Sequence, residues 1–162
     1  MILKEEFLLG KHGGVDRSED VFFINDNYLV IVDGATSKSP QKYDGLTSGQ
    51  LISQKIINFF EENAEAESNG GILYQKITQY LHDNMIVPHN IDVSSKEQCP
   101  SASMAVLSLT EKKIWSLGDC PFLVDGEYKG SQKKIDAVTS EFRAAYNVAQ
   151  LFLGKTVSEL QA

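Results

Sequence analysis

The chain of 162 residues carries a formal net charge of −7, from 15 Lys and Arg against 22 Asp and Glu. That balance argues against a broad nucleic-acid surface, which needs cations clustered against phosphates. The only basic doublets, Lys112-Lys113 and Lys133-Lys134, read as solvated turns. A hydrophobic fraction of 42% over this length suits one domain, residues 1–162, with a core of its own. Cys99 and Cys120 lie too far apart for a zinc knuckle or a redox pair, so reduced thiols are expected. Met1 to Glu6 carries acids where a signal peptide is apolar, and no run approaches the roughly 18 apolar residues of a membrane span. A soluble cytoplasmic protein is expected, with no membrane and no nucleic-acid partner.

In chain order, Phe7-Leu8-Leu9 is a short apolar run that predicts a strand. Val21-Phe22-Phe23-Ile24, a polar turn at Asn25-Asp26-Asn27, and Tyr28-Leu29-Val30-Ile31-Val32 together predict a hairpin over 20–33 that ends at Asp33-Gly34. The continuous β-branched run of its second arm predicts a strand buried on both faces. A Ser-, Lys- and Gly-rich loop follows, and Thr47 or Ser48 is placed to cap a helix carrying Leu51, Ile52, Ile56, Phe59 and Phe60 at helical spacing. An acidic connector leads to a second helix with Ile72, Leu73, Ile77, Tyr80, Leu81 and Met85 on one face, ending before Pro88. Strands return at Ala102 to Leu109, Ile114 to Leu117 and Phe122 to Val124, with a tight turn at Asp125-Gly126. A last helix from about Ser140 points Phe142, Ala145, Tyr146, Ala149 and Leu153 inward, with Gly154 as its cap. Strands, two helices, strands and a helix make an α+β chain, with no repeat and no linker.

Three acidic sites stand at ends of apolar strands: Glu19-Asp20, Asp33-Gly34 and Gly118-Asp119. Carboxylates so placed are held rigidly and, if aimed into one cleft, suit hard divalent cations. Each alone also reads as an ordinary strand-ending turn, and composition names no reaction.

The stretch Arg17-Ser18-Glu19-Asp20-Val21-Phe22-Phe23-Ile24, followed by Tyr28 to Asp33-Gly34, resembles the opening of the metal-dependent type 2C Ser/Thr protein phosphatases. Ser101 to Val106 and Ile114-Trp115-Ser116-Leu117-Gly118-Asp119-Cys120 resemble the small-residue strand and Gly-Asp-Ser hairpin of the same family. The resemblance covers residues 5–126 and rests on the order and spacing of short motifs. It implies the N-terminal portion of an α-β-β-α sandwich whose C-terminal strands are missing. It further implies hydrolysis of phosphoserine and phosphothreonine in proteins by a metal-activated water, with two or three Mn2+ or Mg2+ ions. By similarity Asp33 bridges two ions, Gly34 offers its carbonyl, Glu19 and Asp20 act through metal-bound water, Asp119 serves a third ion, and Arg17 holds the phosphate. A phosphoprotein substrate and a cognate Ser/Thr kinase system are the implied partners.

The sequence also departs from that pattern. The family's phosphate-holding Arg falls at Val15, with Arg17 three residues before Asp20. Ala35-Thr36-Ser37-Lys38-Ser39 replaces a glycine-rich run, and Lys38 is expected to be solvated. Cys120 replaces a Ser and is expected to be a buried small residue rather than a nucleophile. After Asp119 only Asp125 and Asp136 remain, neither in the context of the family's last two aspartates. Impaired turnover is therefore expected, and a non-catalytic phosphatase-like protein that binds a phosphoprotein or partner is the alternative. Asp33-Gly34-Ala35-Thr36 is faintly similar to haloacid-dehalogenase-like enzymes, but Ala35 stands where their second Asp belongs. His12, His82 and His89 are read as surface or structural histidines.

Overall fold

The computed structural model describes residue 8, residues 18–35, 38–63, 65–95 and 98–130, and part of the chain from 140 to 156. The chain divides into two compact units, Met1–Gly130 and Ser131–Ala162. Phe7, Leu9 and Arg17, and with them the first predicted strand and the phosphate-holding role, lie outside the described residues, as does the Gly154 cap.

The first unit is built on the predicted hairpin. Strands β1 (Asp20–Ile24) and β2 (Tyr28–Gly34) pair antiparallel, with Phe22 opposite Ile31. The turn between them is closed by Asn25, whose side-chain oxygen accepts from the amides of Asn27 and Tyr28. Strands β3 (Ala102–Ser108) and β4 (Lys113–Leu117) extend this to a four-stranded antiparallel sheet in the order β1-β2-β3-β4. A separate hairpin joins β5 (Phe122–Val124) to β6 (Glu127–Lys129) through Asp125-Gly126, where both residues have positive φ. That is the backbone a two-residue hairpin turn demands.

Between β2 and β3 the chain forms the helical layer. Helix α1 (Ser48–Glu62) opens with Thr47 as its cap. The Thr47 hydroxyl accepts from the Gln50 amide at 3.2 Å while the Gln50 side chain accepts from the Thr47 amide at 3.0 Å. Two otherwise orphaned donors are thereby satisfied reciprocally. Helix α2 (Gly70–Leu81) is capped by Asn69 and runs into a π-helical turn over His82–Ile86. Pro88 accounts for the change of ladder: it offers no N–H and its ring clashes with the carbonyl four residues back.

Tyr28, Val30 and Val32 of β2, Met104 and Val106 of β3, and Leu51, Ile52, Ile56, Phe59 and Phe60 of α1 form the core with Leu73 and Ile77 of α2. Tyr28 and Phe60 meet edge to face at 5.2 Å, Phe59 packs on Phe60 at 5.3 Å and on Tyr80 at 5.6 Å. Such pairs contribute about 0.5–1.5 kcal/mol each beyond the burial of their area. The aromatic chain therefore ties β2, α1 and α2 into one body.

Three expectations are corrected. The β2 run alternates instead of burying both faces: Tyr28, Val30 and Val32 are enclosed, while Ile31 is 44% exposed. A β-branched run fits either kind of strand, and the helices cover one face. Ile72 is 45% exposed because the inward set of α2 is Leu73, Ile77, Tyr80 and Leu81, one position away. In the second unit, residues 140–142, 144, 146–148, 150 and 152 are helical, but Phe142 and Tyr146 are exposed. Helical spacing marks an apolar face but does not decide what covers it; Ala145, Ala149 and Leu153 lie outside the described residues. Among the described residues no helix is long and apolar enough to cross a membrane.

The end of β2 meets the first turn of α1 at very short range. A Cβ on Gly34 would lie 2.5 Å from the Gly49 carbonyl oxygen and 2.6 Å from both the Glu19 carbonyl oxygen and the Ser53 hydroxyl. Gly34→Ala should therefore destabilise the fold by about 1–3 kcal/mol or more, seen as a lower urea midpoint. An unchanged midpoint would mean that the helix and sheet do not touch there.

Candidate carboxylate site

Alternation along β2 sends Leu29, Ile31 and Asp33 to the face away from the helices, because Tyr28, Val30 and Val32 belong to the core. Asp20 stands directly opposite Asp33 across the β1–β2 pair, and Ser103 directly opposite Asp33 across the β2–β3 pair. Cross-strand partners share a face, so Asp20, Asp33 and Ser103 form a row at one end of the outer surface of the sheet. Behind it lie Phe22, Ile31 and Ala105, and then Ile24, Leu29 and Leu107, an apolar surface over β1 to β3 that β4 continues with Ile114 and the polar Ser116.

Asp119 joins the row from the end of β4. The Ser103 hydroxyl donates to the Asp119 carboxylate, and the Asp119 amide donates back to the Ser103 oxygen at 3.2 Å. Gly118, with φ +80°, makes the turn that brings them together, and a Cβ there would strike the Ser103 side chain. Cys120, 7% exposed, sits within electrostatic reach of all three acids. Its thiol is pushed up first by burial, then by the charges of Asp33, Asp119 and Asp20, with the Ala105 backbone opposing. Burial of this small residue is as expected, and its thiolate is disfavoured.

Glu19 goes the other way. Being next to Asp20 in an extended chain, it points to the helical side, where Oε1 accepts from the Thr47 hydroxyl at 2.7 Å. Its carboxyl lies against Gly49 in the first turn of α1, and its backbone oxygen accepts from Ser53 at 2.6 Å. A carboxylate is stabilised at that end of a helix by the dipole and the unpaired amides. Glu19 thus braces the helix beside the site. Gly34 is buried at the end of β2, its amide donating to the Glu19 carbonyl at 3.2 Å. Lys38 is exposed, as expected.

Among the described residues, no group of three or more His, Cys, Asp or Glu side chains is arranged to hold a metal ion. The donor chemistry nonetheless fits a hard cation of modest demand. Mg2+ is commonly held by one or two carboxylates and keeps several waters, rather than being caged by protein groups alone. His82 pairs with Asp83 at the surface, and His89 bonds the Met85 carbonyl and Asp44. Both are surface or structural histidines, as the sequence suggests.

Two contributors escape the sequence reading. Ser103 is visible there as part of a small-residue strand, but 16 positions separate it from Asp119. Thr47 is legible as a cap, yet its second bond to Glu19 spans 28 positions. Side-chain pairing at that range leaves no periodic trace. Comparison with protein-family models, with curated proteins and with solved structures gives no match.

The charges around Cys120 give a direct check of the row. Asp33→Asn should speed alkylation of Cys120 by iodoacetamide at fixed pH by on the order of two- to tenfold, with Cys99 in the same molecule as the internal control. An unchanged ratio of the two rates would separate Asp33 from the thiol.

Proposed function

We propose that the chain carries the metal-binding edge of a type 2C-like protein phosphatase, acting in metal-dependent hydrolysis of phosphoserine or phosphothreonine in proteins. The observation that carries this reading is the row itself: two aspartates directly opposite one another on β1 and β2, with Asp119 tied to the third strand beside them. Two carboxylates on one face at adjoining strand ends are the oxygen donors that a hard divalent cation takes. Positions 20, 33 and 119 are three of the four acids that the family resemblance marks; the fourth, Glu19, bonds Thr47 on the helical side instead. The apolar outer surface behind the row is also what an α-β-β-α sandwich would bury under its second sheet.

In this reading Asp33 and Asp20 would hold Mn2+ or Mg2+ from the sheet, and Asp119 from the adjoining hairpin. A bound ion would supply a water of lowered pKa and neutralise the phosphate oxygens. The protein's own part is to hold the carboxylates still. Asp33 and Asp20 are fixed by the β-ladder, Asp119 by both of its bonds to Ser103, and the Glu19-Asp20 segment by Thr47 and Ser53. The second reading, a non-catalytic phosphatase-like protein that binds a phosphoprotein or partner, is supported by the departures from the family pattern at Val15 and at Ala35 to Ser39.

Electron paramagnetic resonance titration with Mn2+ tests the site apart from turnover. Binding should weaken by about tenfold or more in Asp33→Asn, while thermal stability in the absence of metal holds or rises. Hydrolysis of p-nitrophenyl phosphate should be slow, Mn2+-dependent and lost in the same variant. Mn2+ binding without hydrolysis would select the non-catalytic reading, and no binding at all would overturn the metal site.

A further inference from the structure

The loop between β2 and α1 contains a tight turn, Tyr43-Asp44-Gly45-Leu46, that is fastened to the helical layer from outside. Tyr43 and Leu46 exchange both backbone hydrogen bonds at 2.9 Å, and Asp44 and Gly45 have φ of 52° and 84°. Positive φ at both central residues defines the tightest kind of two-residue turn. Tyr43 is buried, and its ring meets the His89 ring edge to face at 5.7 Å. Its buried hydroxyl has no hydrogen-bond partner among the described residues, which weakens that seat.

His89 closes the fastening. Its Nδ1–H donates to the Met85 carbonyl at 2.8 Å, and its Nε2–H donates to the Asp44 carboxylate at 3.0 Å. Both ring nitrogens face acceptors, and only the imidazolium can donate from both. Downstream, Leu46 leads at once into Thr47, which caps α1 and donates to Glu19, the residue before Asp20.

We propose that the Tyr43–Leu46 turn is a pH-sensitive strap, clamped to the end of the helical layer by the doubly protonated His89 ring and released when that ring loses a proton. Loss of either ring proton breaks one of the two bonds, leaving Asp44 or the Met85 carbonyl without its donor. The strap's release is passed to the carboxylate site through Thr47 and Glu19. The charged groups that act on His89 are Asp44 of the turn and Lys55 of α1. The bond to Asp44 and the Met85 carbonyl raise the His89 pKa above its usual value, against burial and the Lys55 charge. A raised histidine pKa stabilises the clamped form fully below the unfolded value of about 6.5. That contribution disappears as pH rises through the higher folded value. The Asp44 side chain is 82% exposed, so solvent screens the pair and the effect is local.

Nuclear magnetic resonance on the whole chain, without metal, tests the strap independently of the phosphatase reading. The His89 ring should carry protons on both nitrogens near pH 6 and titrate above the peptide value. Asp44→Asn, at an exposed position, should lower that midpoint, because the carboxylate bonded to the ring is what chiefly raises it. Protection of the Tyr43 and Leu46 amides, corrected for intrinsic exchange, should fall severalfold as pH rises through the midpoint. It should be low at every pH in His89→Phe, which keeps a ring against Tyr43 but donates to neither acceptor. A His89 that titrates at or below the peptide value would overturn the strap. So would protection at Tyr43 and Leu46 that ignores both pH and Asp44→Asn.

Discussion

Two glycines set the geometry on which the unit of residues 1–130 rests. Gly34 at the end of β2 and Gly49 in the first turn of α1 let backbone meet backbone with no side chain between them. A Cβ on Gly49 would lie 2.6 Å from the Ala35 carbonyl oxygen, much as one on Gly34 would strike Gly49. Ser53, fully buried, completes the junction by donating to the Glu19 carbonyl. Because interiors are packed to the density of crystals, this contact fixes where α1 begins on the sheet. It also fixes the height at which the ends of β1 and β2 stand. The aromatic chain of Tyr28, Phe60, Phe59 and Tyr80 secures the far end of the same helix.

From that junction the sheet separates two kinds of acid. Alternation gives Glu19 to the helical side and Asp20 to the outer side, although they are neighbours in the chain. Glu19 meets a hydroxyl and the positive end of a helix, where a carboxylate is at ease. Asp20 stands opposite Asp33 on the other face. One residue of register therefore decides which carboxylate braces the helix and which stands on the outer face. Ser103 extends the outer set to Asp119 by using its hydroxyl as donor and acceptor at once.

The loop after Asp33-Gly34 connects this electrostatic arrangement to a titrating group. The turn at Tyr43–Leu46 runs straight into the cap of α1, so the cap inherits whatever holds the turn. What holds it is a histidine whose two bonds require its charged form. The acidic row and the cationic clamp thus lie at two ends of one short path through Thr47.

The sequence by itself determined the local elements. The 20–33 hairpin follows from two apolar runs around Asn25-Asp26-Asn27, and the start of α1 from Thr47 or Ser48 ahead of an apolar run at helical spacing. Strands β3, β4 and β5 follow from apolar runs broken at Glu111 to Lys113 and at Gly118-Asp119. It also marked Asp20, Asp33 and Asp119 as acids at strand ends, because a carboxylate closing an apolar run is visible within a few residues. Only the tertiary structure decided that these three share one end of one face, that Glu19 does not, and that Ile31, Ile72, Phe142 and Tyr146 are exposed. The reason is physical. Periodicity reports which side of an element is apolar, but register, helix placement and side-chain bonds across 16, 28 or 45 positions depend on how distant segments pack.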